Sequence, residues 1–333
     1  MKTDYLKNDK LETIYKEWPG NPIIDDTFQY LNKANSFKPS WLKVLRFGIT
    51  PNPYRAKKKE AFKNWSLPVH PLDQLPNLHE DAIIWLGHAT FLIQLNGMRI
   101  ITDPVFYKLP GFKRYSEDPI ALEKLLSIDF VLLSHDHRDH CDKKSLQKLF
   151  QFNRPAILTS LKMKDVIGSW LKDDPEIQEA GWYQRYNLFS DKIRITFLPS
   201  RHWCRRGATD FNKRLWGSFM IETPEQVIYF GSDSGYGDHF KQIGRVFPKI
   251  DVAILGIGSY RPSYMMKESH TNPKEARKAF NDLGAKKLIP MHYGTYDLSN
   301  EPMDEPYSWI QELFKKDKEK LALLHPGEVM RLM

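Results

Sequence analysis

The stretch 131–140, Val-Leu-Leu-Ser-His-Asp-His-Arg-Asp-His, sets a row of imidazole and carboxylate side chains directly after an apolar run. Burying such side chains without partners would be costly. Neutral imidazole and ionised carboxylate are the usual nitrogen and oxygen ligands of zinc, and more than four ligands indicate two ions. His135 and His137 can reach one ion, whereas Asp139 and His140, at the expected helix start, can turn to a second.

Three more side chains extend this cluster, because His202, Asp233 and His292 each follow a strand-like apolar run. A single His-x-His pair is more often a polar loop, and each of the three taken alone is more often a packed or turn residue. Side chains at strand ends converge on one edge of a sheet. The set therefore predicts a two-metal centre whose ligands are His135, His137, Asp139, His140, His202, Asp233 and His292.

Apolar runs of strand length recur on both sides of the cluster and alternate with helical patterns. The predicted strands are 81–86, 91–95, 98–102, 130–133, 156–159, 193–198, 219–221, 227–230, 252–257 and 287–290. The predicted helices are 143–150, 161–171, 273–283 and 309–320. This order is typical of an α/β protein with two sheets and helices outside them.

The chain divides by pattern into an N-terminal extension, residues 1–80, and a main domain, residues 81–333, which carries the predicted metal ligands. The extension is aromatic, basic and rich in proline, and it has no clear strand periodicity. We expect it to pack on the domain that follows.

The overall composition is that of a folded soluble protein, with 41% hydrophobic and 27% charged residues. The net charge of +8 is shared among 49 basic and 41 acidic residues, which favours anionic partners only weakly. Cys141 and Cys204 are too few for a disulfide framework, so we expect free thiols in a reducing compartment. No secretory signal and no run of roughly 20 apolar residues is recognisable. We therefore expect a cytoplasmic protein, with peripheral attachment to the inner face of the membrane left open.

Residues 38–65 combine eight basic side chains and a single acidic one, Glu60, with interleaved aromatic and aliphatic residues. Such a stretch could sit on an anionic membrane surface. It could equally pack its aromatic residues on the core and expose its lysines. Binding of nucleic acid ranks below both alternatives, because no separate nucleic-acid module is recognisable.

The run His135-x-His137-x-Asp139-His140 resembles the signature of the metallo-β-lactamase superfamily, which implies a four-layer αββα sandwich. By this resemblance, His135, His137 and His202 would hold a first zinc ion. Asp139, His140 and His292 would hold a second, and Asp233 would bridge the two. An aspartate at the bridging position, where common β-lactamases use cysteine, points to the phosphodiesterase and lactonase branches.

A closer resemblance is to the N-acylphosphatidylethanolamine-hydrolysing phospholipases D and their bacterial relatives. It covers about 85 to 305 and is carried by separated segments, namely 85–90, 102–106, 201–203, 258–262, 266–270 and 292–296. The resemblance implies a phospholipid substrate, catalytic roles for Asp139 and His270, and a homodimer. Asp103, otherwise a turn residue before Pro104, would orient a ligand histidine, and His88 would lie near the site.

Two alternatives stay open at this stage. The same fold and metals also serve the hydrolysis of lactones and other esters. The four residues after Tyr260 are Arg-Pro-Ser-Tyr, whereas the animal phospholipases of this family have a sequence like Glu-Pro-Arg-Trp there, so the resemblance does not settle the lipid specificity. A metal-stabilised binding protein without catalytic activity is the non-enzyme alternative. The complete ligand set argues against it.

Overall fold

The computed structural model describes residues 3–31, 37, 40–172, 174–190 and 192–332, and its main feature is a pair of seven-stranded sheets. The strands are β1 (Asp4–Leu6), β2 (Glu12–Thr13), β3 (Asn21–Ile24), β4 (Thr27–Phe28), β5 (Ala82–Gly87), β6 (Thr90–Leu95), β7 (Met98–Thr102), β8 (Phe130–Leu133), β9 (Ala156–Ser160), β10 (Ile177–Ala180), β11 (Gln184–Arg185), β12 (Arg194–Leu198), β13 (Ser218–Glu222), β14 (Val227–Phe230), β15 (Val252–Gly256), β16 (Lys287–Met291) and β17 (Val329–Arg331). The helices are α1 (Trp41–Ile49), α2 (Arg55–Asn64), α3 (Lys143–Phe152), α4 (Lys164–Ile167), α5 (His239–Val246), α6 (Ser263–Met266), α7 (Pro273–Leu283) and α8 (Glu305–Leu313).

The first sheet has the strand order β10-β9-β8-β7-β6-β5-β17, and the second has the order β16-β15-β14-β13-β12-β11-β2. In the first sheet β7, β8, β9 and β10 are parallel neighbours, and in the second β14, β15 and β16 are. The remaining neighbours are antiparallel. Both sheets are therefore mixed, and each has a parallel half in which the carboxyl ends of the strands lie at one edge.

Both faces of the first sheet are buried, as parallel sheets require. Phe130 and Leu132 of β8 point into the core between the two sheets, whereas Val131 and Leu133 point to a second core beneath α3. Helices α5, α7 and α8 contribute apolar side chains to the main core on the far side of the second sheet. The layers are thus helix, sheet, sheet and helix, which is the predicted four-layer arrangement.

The extension takes part in the sandwich. Its strand β2 pairs with β11 at the edge of the second sheet, and β1, β3 and β4 form a small sheet of their own. Phe28, Tyr30 and Leu67 are buried in the main core. Strands β1 to β4 have two to four residues each, which is too short to produce a readable alternation in the sequence.

Two predicted helices differ clearly from the structure, and α5 has no predicted counterpart. The predicted helix 161–171 is only the single turn α4 followed by a 3₁₀ turn, and the predicted helix 309–320 begins at Glu305 and ends at Leu313. Helix α7 occupies the predicted residues, because Asn272 caps it, Pro273 opens it and Gly284 ends it with a φ of 66°. No helix in the described ranges is long and apolar enough to cross a membrane.

Candidate metal centre

Six strands end at the same edge of the sandwich, and each is followed within four residues by a polar side chain of the site. In the first sheet, β5, β7 and β8 run in the same direction and are followed by His88, Asp103 and His135. In the second sheet, β12, β14 and β16 are followed by His202, Asp233 and His292, the last directly after its strand. The two sheets therefore bring together residues that are up to 204 positions apart in the chain, from His88 to His292.

A first group of ligand atoms comes from three imidazoles. Nδ1 of His137 lies 3.0 Å from Nε2 of His135 and 3.1 Å from Nε2 of His202. Zinc binds imidazole nitrogen at about 2.0–2.1 Å, so tetrahedral ligand atoms lie about 3.3–3.4 Å apart. Three nitrogens that converge at this spacing fit one divalent ion.

A second group combines imidazole with carboxylate. Oδ2 of Asp139 lies 3.5 Å from Nε2 of His292 and 3.6 Å from Nε2 of His140. The sequence predicted Asp139 and His140 at the start of a helix, and this prediction was wrong. They lie in a turn closed by the carbonyl of His137, and α3 begins only at Lys143.

Asp233 lies between the two groups. Its Oδ2 is 3.1 Å from Nε2 of His140 and 3.7 Å from Nε2 of His202, and its Oδ1 is 3.1 Å from Nε2 of His292. One carboxylate thus faces both groups, which is the position expected of a bridging ligand.

The donor set fits a pair of divalent ions by a second criterion. Several buried nitrogen and oxygen atoms at this point have no hydrogen-bond partner among the described residues, although buried polar atoms are nearly always paired. They are Nε2 of His137, Nε2 of His140, Oδ1 of Asp233, and both ring nitrogens of His292. Bound cations would satisfy the atoms that point into the centre.

The ligand rings are oriented by a network centred on Asp103, which is fully buried. Its Oδ2 accepts from Nδ1 of His140 at 2.8 Å and from the hydroxyl of Ser134 at 2.6 Å. The Ser134 hydroxyl in turn accepts from Nδ1 of His135 at 2.8 Å. His202 donates from Nδ1 to the carbonyl of Ser269 at 3.0 Å. In the neutral rings these bonds place the proton on Nδ1 of His135, His140 and His202, so that Nε2 of each of these three rings is available to a metal ion.

The first group consists of histidines that burial keeps neutral. Burial lowers the pKa of His135, His137 and His202, and the neighbouring imidazoles lower the pKa of His135 and His202 further. Neutral imidazole is the form that binds a metal ion. The group is thus suited to a cation before any ion is present.

The second group has the opposite electrostatics. Burial opposes the charged forms, but His140 and His292 lower the pKa of the Asp233 carboxyl well below its usual range. Burial is likewise outweighed at His292, whose pKa the carboxylates of Asp233 and Asp139 raise to about 9. The carboxylates here attract positive charge strongly, and in the absence of metal they draw it from protons on the histidines.

The backbone is held in the left-handed region at several of these positions. His88, Asp103, Ser259 and His292 have φ angles of 52°, 34°, 60° and 62°. Such angles cost of order 1–3 kcal/mol each for residues other than glycine, and they concentrate at functional sites. At Gly258 a Cβ would stand 2.1 Å from the carbonyl oxygen of His292, so a larger residue would displace that ligand.

Two further histidines, His88 and His270, lie beside the groups, where the resemblance placed them. His88 lies with its Nε2 3.1 Å from Oδ2 of Asp139, and its ring is 4.0 Å from that of His292. His270 has its Nδ1 3.8 Å from Oδ2 of Asp233. Burial lowers the pKa of His88 to about 3 and that of His270 to about 4.

Asp136, the middle residue of the His-x-His pair, points away from the metal groups. Its Oδ2 accepts from Nε of Arg214 at 2.6 Å, and its Oδ1 accepts from the backbone N–H of Arg205 at 3.0 Å. The carboxylate thereby ties the loop after β8 to the segment that carries His202. Sequence reasoning missed this pair, because nothing in the order of residues links position 136 with position 214.

The metal groups open into a cavity of about 330 Å³. Its floor includes His137, Asp139, Asp233, His270 and His292. Its walls are largely apolar, and two arginines join them: Phe37, Leu109, Pro110, Phe112, Trp203, Met265, Met266, Leu298, Arg138 and Arg205. The cavity suits a substrate with an apolar body and an anionic reacting group.

Comparison with known proteins places the chain in a wide group of hydrolases. Residues 98–293 match the family described as "Beta-lactamase superfamily domain". The chain is 30% identical over 321 residues to "N-acyl-phosphatidylethanolamine-hydrolyzing phospholipase D 1" of Caenorhabditis elegans, an alignment that covers 90% of this chain and 84% of that protein.

Two further similarities agree with this one. The chain is 27% identical over 256 residues to a "UPF0173 metal-dependent hydrolase" of Caldivirga maquilingensis, covering 74% of this chain and 96% of that protein. Among solved structures, Igni18, a metallo hydrolase of Ignicoccus hospitalis, superposes with a TM-score of 0.59 at 18% identity. That superposition covers 76% of this chain and 98% of Igni18, and it bears on the fold alone.

Proposed function

This chain belongs to the β-lactamase superfamily, and we propose that it is a metal-dependent phosphodiesterase. Its proposed substrates are N-acylphosphatidylethanolamine-like phospholipids. The observation that carries the proposal is the position of Asp233, which faces both ligand groups at the floor of an apolar cavity. The relative in Caenorhabditis elegans, named for the phospholipase D reaction, supports the same substrate class.

The residues suit two divalent ions, which we propose to be zinc. His135, His137 and His202 would hold the first ion, Asp139, His140 and His292 the second, and Asp233 both. Such ions supply Lewis-acid chemistry, because they polarise a phosphoryl oxygen and lower the pKa of a water.

Asp139 is the residue that we propose to position and deprotonate the attacking water. Asp139 lines the cavity, and Nε2 of His88, which does not line it, donates to Oδ2 of Asp139 at 3.1 Å. His88 thus holds the carboxylate in one orientation and reduces the freedom that a flexible base would have to lose. The water oxygen bonds to phosphorus, and the proton passes to the carboxylate.

His270 lies on the same floor, close to Asp233, where it can contact the phosphate. We propose that it donates a hydrogen bond to a phosphoryl oxygen or a proton to the departing headgroup alcohol. The bond between phosphorus and the headgroup oxygen breaks, and that oxygen leaves as the alcohol. The products are a phosphatidic acid and the N-acylated alcohol.

The experiment is hydrolysis of bis(p-nitrophenyl) phosphate and of vesicles that contain N-acylphosphatidylethanolamine, with mass spectrometry of the lipid products. Asp139→Asn and His270→Ala should each lower turnover by about 10²–10⁴-fold, as loss of a general base or acid does. Asp73→Asn and His79→Ala, at exposed positions, are the matched controls and should keep wild-type turnover.

Release of phosphatidic acid is the expected result with the lipid substrate. Turnover of a lactone or carboxylic ester panel without any phosphodiester hydrolysis would contradict the proposal and favour the ester-hydrolase alternative. A protein that binds metal and hydrolyses neither class would favour the non-catalytic alternative.

A further inference from the structure

Helix α1 has its apolar face turned away from the protein. A surface helix normally directs its apolar stripe to the core, yet none of the nine residues of α1 is buried. Trp41 and Ile49 are 73% and 71% exposed, and Leu42, Val44 and Leu45 are more than half exposed. At 100° per residue these five side chains cover one continuous half of the helix.

The opposite half of α1 faces the protein and carries its polar contacts. Lys43 and Phe47 are the half-buried residues of the helix. Nζ of Lys43 lies 3.6 Å from a carboxylate oxygen of Glu268, and the guanidinium of Arg46 lies 4.4 Å from the centre of the Tyr264 ring. The outward direction of the apolar face is therefore fixed by contacts on the other side.

These contacts fix α1 at the rim of the cavity. Tyr264 directly precedes Met265 and Met266 in the chain, and Glu268 directly precedes Ser269; Met265, Met266 and Ser269 line the cavity. Helix α1 thus lies next to the segment that forms part of the cavity wall.

The helix that follows α1 in the chain carries exposed basic side chains. Helix α2 exposes Arg55, Lys57, Lys59 and Lys63. Phe62 holds α2 in place, because its ring stacks on that of Tyr115 with 4.4 Å between centroids. An exposed apolar face next to a cluster of cations is the pattern of a helix that lies in the surface of an anionic bilayer.

We infer that α1 docks the protein on an anionic lipid bilayer, with α2 on the headgroups and the cavity mouth at the lipid surface. A second copy of the chain is a poorer occupant, since a two-fold contact through α1 would oppose like charges of two α2 helices. The choice of a lipid bilayer as the partner rests on the proposed function, because a phospholipid substrate resides in such a bilayer.

The first test is sedimentation with vesicles of phosphatidylglycerol or of phosphatidylcholine. The double variant Leu42→Gln and Ile49→Gln should reduce binding to phosphatidylglycerol vesicles by at least about tenfold, because two large apolar contacts are lost. Its turnover of bis(p-nitrophenyl) phosphate should stay within about twofold of wild type, since neither residue lines the cavity. Lys57→Glu with Lys59→Glu should abolish the preference for phosphatidylglycerol.

The matched control is Leu126→Gln with Phe152→Gln. Both side chains are exposed, at 47% and 44%, and they lie near the amino ends of β8 and β9, at the edge opposite the metal centre. This control should bind vesicles as wild type does. Equal loss of binding in both double variants, or no loss in the α1 variant, would overturn the inference.

A second measurement locates the contact. Cys141 and Cys204 are buried, so Ile49→Cys and Phe152→Cys can each carry a single environment-sensitive dye. Phosphatidylglycerol vesicles should raise the emission at position 49 several-fold and leave position 152 unchanged. A wild-type dimer that the α1 variant converts to monomer, with no dye response to vesicles, would show that a second copy covers the helix.

The two proposals fail in different ways. Vesicle binding through α1 without turnover of any phosphodiester would refute the proposed reaction and leave the docking helix established. Turnover of soluble and lipid phosphodiesters with no vesicle binding would refute the docking helix and leave the reaction established.

Discussion

The metal centre and helix α1 are both next to the segment 264–269, and they differ in which side chains they bury. At the centre, polar groups are buried and most are paired, and three of the unpaired atoms, Nε2 of His140, Nε2 of His292 and Oδ1 of Asp233, lie together where a cation would bind. At α1, apolar groups are exposed, and no residue of the helix is buried. Each region places side chains in an environment that disfavours them: polar groups are buried at the centre, and apolar groups are exposed on α1. We infer that a partner outside the chain offsets this cost, namely metal ions at the centre and a lipid surface at α1.

The largest expected effect tests the centre directly. His202→Ala removes one of three imidazoles from the first group, and the Lewis-acid contribution of an ion is worth several kcal/mol. Turnover should fall by about 10³-fold or more. Metal content, measured by mass spectrometry of the purified protein, should fall from about two ions per chain to about one. His79→Ala should change neither quantity, and full activity in His202→Ala would contradict the assignment.

The next effect concerns the support of the centre. Arg214→Leu leaves the fully buried Asp136 carboxylate without its cation, which should lower the free energy of unfolding by about 3–5 kcal/mol. Chemical denaturation measures this loss. Lys286→Leu breaks an exposed pair with Asp251 and should cost less than about 1 kcal/mol. An equal, small cost for both variants would show that the Asp136 pair does not hold the loop.

Asp103→Ala probes the network that orients the ligands. It removes the acceptor of His140 and Ser134, so metal affinity should fall by about 10–100-fold while the ligands themselves remain. Competition with a chelator gives the affinity, and Asp73→Ala is the control. Unchanged affinity would mean that packing alone orients the rings.

Phe62→Ala tests whether α2, unlike α1, packs on the protein. The stacked ring of Tyr115 would lose its partner, and we expect a cost of about 1–2 kcal/mol in the free energy of unfolding. Thermal or chemical denaturation measures it. A negligible change in the free energy of unfolding would show that α2, like the outward half of α1, does not pack on the protein.

The smallest expected effect is on α1 itself. Leu42→Gln and Ile49→Gln should each change the free energy of unfolding by no more than about 0.5 kcal/mol, since the side chains are exposed. Denaturation in the absence of lipid measures this. A loss above about 1.5 kcal/mol would show that the apolar face packs against the protein in solution and would erase the contrast with the centre.

The sequence predicted much of the fold. Most of the expected strands occupy the expected residues, because a buried strand needs a run of apolar residues between polar turns. Helix α7 occupies its predicted residues, because Asn272 caps it, Pro273 opens it and Gly284 ends it. The short strands of the extension and helix α5 were not predicted, since pairing with distant strands and packing on the second sheet decide them.

Residues 38–65 also show that the sequence alone could not decide how a segment packs. Lys38 lies outside the described residues. In the rest of the stretch, packing on the protein holds for Phe62 of α2, which stacks on Tyr115, and for Trp65, which contacts Tyr307. The apolar residues on the outward half of α1 do not pack in this way. Packing on the protein is thus found for one part of the stretch, the membrane alternative stays a proposal for α1, and composition alone could not divide the two parts.

By itself, the sequence determined which side chains can hold metal and that each follows a strand, because buried imidazoles and carboxylates need partners wherever the chain takes them. Only the tertiary structure decided that Asp233 faces both ligand groups, that His88 holds Asp139, and that Asp136 turns to Arg214. It also decided which half of α1 faces solvent. Distances between residues far apart in the chain, and the direction of a helix face, depend on how the two sheets stack rather than on the local order of residues.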